Sequence, residues 1–247
     1  MAMRHLLVIN PNTGQATTQR LQSHLQTLLP CDVQLDCINA RFGAPYIACE
    51  ASHAVAGHAL LDAWAHHLHT SAHAPDGVLI ACFGDPGLFA LREASACPVS
   101  GLAEASFIQA ARSGPFAIVT GGARWKPMLE RLALSLGFAS QLQHIELVQE
   151  TGAQLLADRH NALRVLGVAC QQAARSGVRS IILGGAGLAG YAAELQAEVD
   201  LPLIDSVSAG TELYLQRQMP LSARSINGFD TAWNHLPPTM DFRLIDR

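Results

Sequence analysis

The sequence predicts an α/β protein made of two pseudo-equivalent, doubly wound parallel-sheet lobes with an active-site cleft between them. Three observations carry that expectation. Short β-rich apolar runs alternate along the chain with longer Ala/Leu/Gln-rich stretches of helical period, the pattern of βαβ units. The two halves resemble each other in order and spacing. Small or polar residues follow the apolar runs, at the strand C-termini where α/β folds place their ligands.

The first apolar run, 6–9, reads as a strand closed by Asn10, and Asn12 or Thr13 is the expected N-cap of a helix over 14–29. Strand 33–38 and a long helix, 50–72, follow. The run at 78–81 leads into a glycine- and proline-containing loop and a helix at 87–95. Val99 marks a short strand behind Pro98, before a helix at 102–112. The second half repeats the scheme: strand 116–120, helix 124–136, strand 144–148 and a long helix 152–176. Strand 181–183, helix 188–198, strand 203–204 and helix 207–217 complete it. The last thirty residues, with Pro220, Pro237 and Pro238, read as mostly irregular and polar.

Val78-Leu79-Ile80-Ala81-Cys82-Phe83-Gly84 aligns with Ile181-Ile182-Leu183-Gly184-Gly185-Ala186-Gly187. Pro98-Val99-Ser100-Gly101 aligns with Pro202-Leu203-Ile204-Asp205, and Leu7-Val8-Ile9-Asn10 with Ala117-Ile118-Val119-Thr120. The repeat assigns residues 1–102 plus 211–247 to the first lobe and 103–210 to the second. A cleft between such lobes is a favoured small-molecule site.

Composition narrows the function classes. With 247 residues, 49% apolar and 15% charged, the chain has ample core-forming material and is not a disordered or collagen-like segment. Sixteen Lys and Arg against twenty Asp and Glu, a net charge of −4, give no footprint for nucleic acid or an anionic membrane. The N-terminal apolar run is too short for a signal peptide or a membrane span. The six cysteines (31, 37, 49, 82, 97 and 170) show no CxxC spacing. They read as reduced thiols of a cytoplasmic protein.

Among residues able to carry chemistry, Cys82 stands first. It follows a buried strand and opens the loop Phe83-Gly84-Asp85-Pro86-Gly87, whose glycines free backbone amides to face an anion. Proximity to a helix N-terminus would lower the thiol pKa, as a thiolate base requires; the alternative is a buried structural cysteine. Asn10 and Thr13, at the end of the first strand, offer neutral donors for a carboxylate or carbonyl, and Thr120 with Gly121 offers the same from the second lobe. Tyr46 would close one wall or pack at the surface. Asp85 reads as the cap of the helix that follows it, and Glu104 as a capping or pairing residue. Gly185-Ala186-Gly187-Leu188-Ala189-Gly190 matches GxGxxG, with Asp205 twenty residues on, which leaves a dinucleotide site as an outside alternative. Six histidines lie between 53 and 73, including His69 and His73 at helical i,i+4 spacing, without a further ligand at metal-binding spacing. They read as a solvated helix face, and no metal is expected.

The runs Ile9-Asn10-Pro11-Asn12-Thr13, Ile80 to Leu88, Pro98 to Ala105, Ile182 to Leu188 and Pro202-Leu203-Ile204-Asp205 together resemble the aspartate/glutamate/hydantoin racemases, in particular the hydantoin and allantoin racemase branch. The resemblance implies a cofactor-independent isomerase of amino acids or their derivatives. In that family the substrate's acidic carbon sits between two cysteines, one taking a proton from one face and the other delivering one to the opposite face. Cys82 matches the first cysteine, and the second, in a Leu-Gly-Cys-Ala-Gly pattern, falls on Gly185. Glycine can neither take nor give a proton. Three readings therefore stand side by side: a racemase in which another group or water serves the second face, a one-cysteine enzyme similar to arylmalonate decarboxylases with the cysteine on the mirrored side, and a non-catalytic cleft-binding descendant. For all three, Phe83, Gly84, Gly121 and Ala186 join Asn10, Thr13, Tyr46 and Thr120 as binding residues for a small substrate with a carboxylate or ring carbonyl. Relatives of this kind also imply a homo-oligomer.

Overall fold

A computed structural model describes residues 3–175, 177–220 and 236. The first lobe holds β1 (Arg4–Asn10), α1 (Gln15–Leu28), β2 (Val33–Asn39), α2 (Glu50–Thr70), β3 (Gly77–Ile80), α3 (Leu88–Ala94) and β4 (Val99–Gly101). Next come α4 (Leu102–Ala111), β5 (Phe116–Gly121), α5 (Trp125–Ser135), β6 (Leu142–Val148), α6 (Gly152–Ala157) and α7 (Arg159–Ala174). The chain continues through β7 (Ser180–Gly184), α8 (Tyr191–Leu195), β8 (Leu203–Asp205) and α9 (Ser206–Leu215).

The strands form two four-stranded parallel sheets, ordered β2-β1-β3-β4 and β6-β5-β7-β8. Strands covered on both faces read as unbroken apolar runs, and β3, β5 and β7 are buried along their whole length. The half-exposed β2 and β6 take one edge of each sheet, and the short β4 and β8 the other. The repeat holds to the residue. Leu7 pairs Val78 and Ala117 pairs Ile181; Val78 in turn pairs Val99, and Ile181 pairs Leu203. Even the amides preceding the short strands match, Val78 N–H donating to the Pro98 carbonyl and Ile181 N–H to that of Pro202. Cys82 and Gly185, each two residues past a matched position, are therefore structural equivalents.

The lobes share a central apolar cluster, and each also has one of its own. After β4 the chain crosses over, and α4 packs against β7 and β8 of the other sheet. After β8 it crosses back, so that Gly210 of α9 lies on Leu79 of β3 and the Tyr214 ring lies on Gly77. Phe107 of α4 stacks on Phe116 of β5, with ring centroids 5.5 Å apart, and Phe83 meets Phe107 edge-on. Both sheets thus bury apolar surface under a helix that follows the other sheet, which ties the lobes by hydrophobic burial.

Two expected helices differ. The stretch 152–176 is two helices, because Asp158 turns out of the first and its carboxylate accepts from the Asn161 amide as N-cap of α7, while Thr151 and Gln154 form a capping box on α6. The stretch 188–198 contains only the five-residue α8, flanked by 3-10 turns at 186–188 and 196–198. Residues 221–235 and 237–247 of the tail, with Pro237 and Pro238, lie outside the described residues. Among those described, no helix is long and apolar enough to cross a membrane.

Candidate active site

The C-terminal ends of both sheets converge on a cavity of about 60 Å³. Its first-lobe wall is Asn12, Thr17, Tyr46, Ile47, Ala81, Cys82 and Phe83; its second-lobe wall is Thr120, Gly121, Trp125, Gly152 and the turn Gly184–Leu188. Of the residues expected here, Cys82, Gly185, Tyr46, Phe83, Thr120, Gly121 and Ala186 line it.

Asn10, Thr13 and Gly84 do not. Asn10 is fully buried under the first loop: its Nδ2 donates to Thr18 Oγ1 at 2.8 Å and its Oδ1 accepts from the Asn12 amide. Its donors are therefore spent inside the protein. Thr13 is tied by its amide to the Ala44 carbonyl, and Asn12 and Thr17 take its place at the cavity. Neither Asn12 nor Thr13 is the helix N-cap. That position is Gly14, and Asn12 Oδ1 accepts from the Gly14 amide to form the turn before α1. Gly84 lies behind the wall, its carbonyl accepting from His53 Nε2 at 3.0 Å.

The Cys82 loop is held from two directions. Asp85 adopts φ +47° and sends its buried carboxylate away from α3, to the amides of Ala103 and Glu104 at 3.0 and 2.8 Å. It caps α4 rather than the helix that follows it in sequence. Glycine at 101 makes this possible, since a Cβ there would lie 2.1 Å from the Asp85 carboxyl carbon. In the second lobe the equivalent position is Asp205, which caps α9 directly through the amides of Val207 and Ser208. The same pair of orphan amides is satisfied in both lobes, by carboxylates from different places in the chain. From α2, His53 holds the Gly84 carbonyl and meets Trp125 edge-on. Glu104 receives Arg92 Nη2 at 2.6 Å and Ser100 Oγ at 2.8 Å, the pairing role expected of it.

The electrostatics reverse one expectation. Burial first, and the Asp85 carboxylate second, push the Cys82 thiol far above its ordinary value. The amide of Asp85 is spent on the Cys82 carbonyl, and α3 begins six residues past the sulfur, so the helix N-terminus does not offset the loss of water. Burial likewise raises Asp85 to about 7, against the two amides it accepts from.

The histidine stretch is not a uniformly solvated face. His53 supports the Cys82 loop, and His67 is buried, its pKa lowered by desolvation and the neighbouring His5. His73 lies past the end of α2, so it and His69 share no helical turn. Among the described residues no cluster of His, Cys, Asp or Glu is arranged to hold a metal. The GxGxxG stretch opens a single 3-10 turn, and Asp205 is committed to the amides of Gly190, Val207 and Ser208. A dinucleotide needs a free carboxylate for the ribose and a helix directed at the pyrophosphate, so these residues do not form that site. Sequence reasoning missed Trp125, Ile47, Thr17 and His53, whose apolar or helical context gives no hint of a pocket.

Two register-matched parallel-sheet lobes closing on a shared cavity, with a thiol at one strand end, define a class of two-lobed α/β folds. The sequence matches the Asp/Glu/Hydantoin racemase family over residues 6–214, and the chain belongs to that family. A hydantoin racemase from Paenarthrobacter aurescens is 33% identical over 206 residues, 83% of this chain and 86% of that protein. Allantoin racemase from Klebsiella pneumoniae superposes with a TM-score of 0.85 at 27% identity, covering 95% of this chain and 96% of the other. Arylmalonate decarboxylase shares the fold, with a TM-score of 0.58 at 16% identity over 90% of this chain and 94% of that one.

Proposed function

We propose that this protein is a cofactor-independent racemase-type isomerase of hydantoin-like or allantoin-like rings, with Cys82 as the base at the acidic ring carbon. The observation that carries the reading is a cavity shared by both lobes that contains Cys82 and, among its described lining residues, no Lys, Arg, His, Asp or Glu. Free aspartate or glutamate would bring an ammonium and two carboxylates into that wall without countercharge, at heavy desolvation cost. A neutral ring instead presents carbonyls and N–H groups that Asn12, Thr17, Thr120 and the amides of Ala186 and Gly187 can meet, the Gly185 amide being held by Ser206 Oγ. The named relatives, a hydantoin racemase and an allantoin racemase, support the same class.

In this mechanism the Cys82 thiolate takes the ring C–H proton, and the electron pair moves into the adjacent carbonyl as an enolate. Preorganised donors in a dry cavity stabilise that charge most, at about 3–4 kcal/mol each. The buried thiol must first ionise against its surroundings, so the rate is expected to rise with pH through the neutral range, about tenfold per unit. The test is incubation of single enantiomers of 5-methylhydantoin and allantoin in deuterated water, with aspartate and glutamate alongside. Loss of optical rotation with deuterium at the ring carbon is expected, and the loss of rotation is expected to be abolished in Cys82→Ser; no exchange above the uncatalysed rate in any of them overturns the reading.

Gly185, equivalent to Cys82 and bearing no side chain, also favours a second reading, a one-cysteine decarboxylase. That reading predicts carbon dioxide release from prochiral arylmalonates, lost in Cys82→Ser.

A further inference from the structure

We infer that Tyr46 is the acid-base group on the face of the substrate opposite Cys82, in the role that Gly185 cannot fill. The inference rests on the proposed proton abstraction by Cys82 and goes beyond it by naming the partner. Tyr46 belongs to the first lobe, on the segment between β2 and α2, yet its phenol lies against the second lobe. Its hydroxyl reaches the Gly121 carbonyl at 3.5 Å and would stand 3.0 Å from a Cβ on Gly122. Its ring edge would lie 3.2 Å from a Cβ on Gly152, and the Gly152 carbonyl borders Gly187 at 3.4 Å from the corresponding position there. The phenol is thus carried to the wall that holds the Gly185 turn, while Cys82 lies on the first-lobe wall.

The other polar side chains at the cavity do not compete for the role. The Thr120 hydroxyl is committed to the Gly184 carbonyl at 2.7 Å. Asn12 accepts from the Gly14 amide, and an amide or an aliphatic hydroxyl such as Thr17 is too weak an acid to protonate an enolate near neutral pH. The Cys82 thiol and the Tyr46 phenol are the two ionisable side chains in this described lining. The long hydrogen bond to Gly121 leaves the Tyr46 hydroxyl little committed and able to turn into the cavity, since such bonds weaken steeply with distance.

The step balances without a further reactant. The Cys82 thiolate takes the C–H proton from one face and becomes a thiol, and the C–H electron pair enters the enolate. The Tyr46 O–H bond breaks, its proton forms the new C–H bond on the opposite face, and phenolate remains. Proton transfer from thiol to phenolate through solvent after product release restores the starting state. The opposite enantiomer uses the same two groups in reverse.

The experiment follows each enantiomer of 5-methylhydantoin separately in deuterated water, reading ring-carbon deuteration by NMR and configuration by chiral chromatography. The parent protein is expected to exchange and invert both. Tyr46→Phe, which keeps the ring contacts, is expected to lower racemisation at least about 100-fold while still deuterating, with retention, the enantiomer whose hydrogen faces Cys82. Cys82→Ser is expected to show the mirror image, with exchange confined to the other enantiomer. A Tyr46→Phe protein that racemises at the parental rate, or that loses exchange of both enantiomers in parallel, overturns the inference. Exchange with retention by the parent overturns it too and leaves the Cys82 chemistry standing; a parent that exchanges neither enantiomer overturns the proposed function itself.

Discussion

Gly184→Ala probes how tightly the two lobes are keyed together at the cavity. Gly184 ends β7, and the Phe83 ring, one residue past Cys82, lies flat against it. A Cβ at 184 would come within 2.3 to 2.5 Å of three Phe83 ring carbons. Carbon contacts settle at about 3.5–4.0 Å, so the ring must retreat by roughly 1 Å. It has little room: Phe83 is 4% exposed and abuts Phe107, itself stacked on Phe116. Overpacking of this kind costs about 1–3 kcal/mol, or about 2–12 °C in Tm for a chain of this size. A displacement of roughly 1 Å next to Cys82 is expected to lower kcat/KM for the ring substrate about 100-fold. Urea unfolding and initial racemisation rates measure the two effects. In Gly184→Ala/Phe83→Leu the clash is relieved, and the cycle should show a favourable coupling of about 1–2 kcal/mol. A Gly184→Ala protein within about 0.5 kcal/mol of the parent, or strictly additive effects in the cycle, refutes the argument.

Asp85 should leave a pH signature on stability. Its folded pKa is raised from 3.8 to about 7, so its stabilising contribution is full below pH 3.8 and is lost as pH rises through 7, an upper limit of about 4 kcal/mol. The unfolding free energy of the parent relative to Asp85→Asn, by urea titration, should therefore narrow between pH 4 and pH 8; a constant gap contradicts it. Arg92→Ala leaves the buried Glu104 carboxylate without its guanidinium and is expected to cost about 3–5 kcal/mol. Adding Glu104→Gln should recover most of that, and no recovery in the double variant would place the loss elsewhere.

The central strands were legible because burial on both faces requires solid apolar runs, and β1, β3, β5 and β7 are such runs. The repeat was legible for the same reason and held in register. The break at Asp158 was local and readable in principle, as a capping residue inside a helical pattern. Other roles left no local trace. Asp85 caps a helix that begins seventeen residues on, through the space left by Gly101. His53 supports a loop thirty-one residues away. Thr13 was expected at the site and Thr17 was not, although both follow the same strand, because the turn after Asn10 is spent on its own amides.

By itself the sequence determined two matched βαβ lobes, placed Cys82 and Gly185 at equivalent strand ends, and carried the family pattern that joins them. Apolar periodicity and the residues that stop it are local properties, and they suffice for that. The tertiary structure alone decided which donors remain for a substrate, why burial raises the Cys82 thiol pKa where a helix terminus was expected to lower it, and how Tyr46 comes to stand against the opposite lobe. Hydrogen-bond partnership, desolvation and packing depend on which groups meet in space, and in this fold those groups come from opposite halves of the chain.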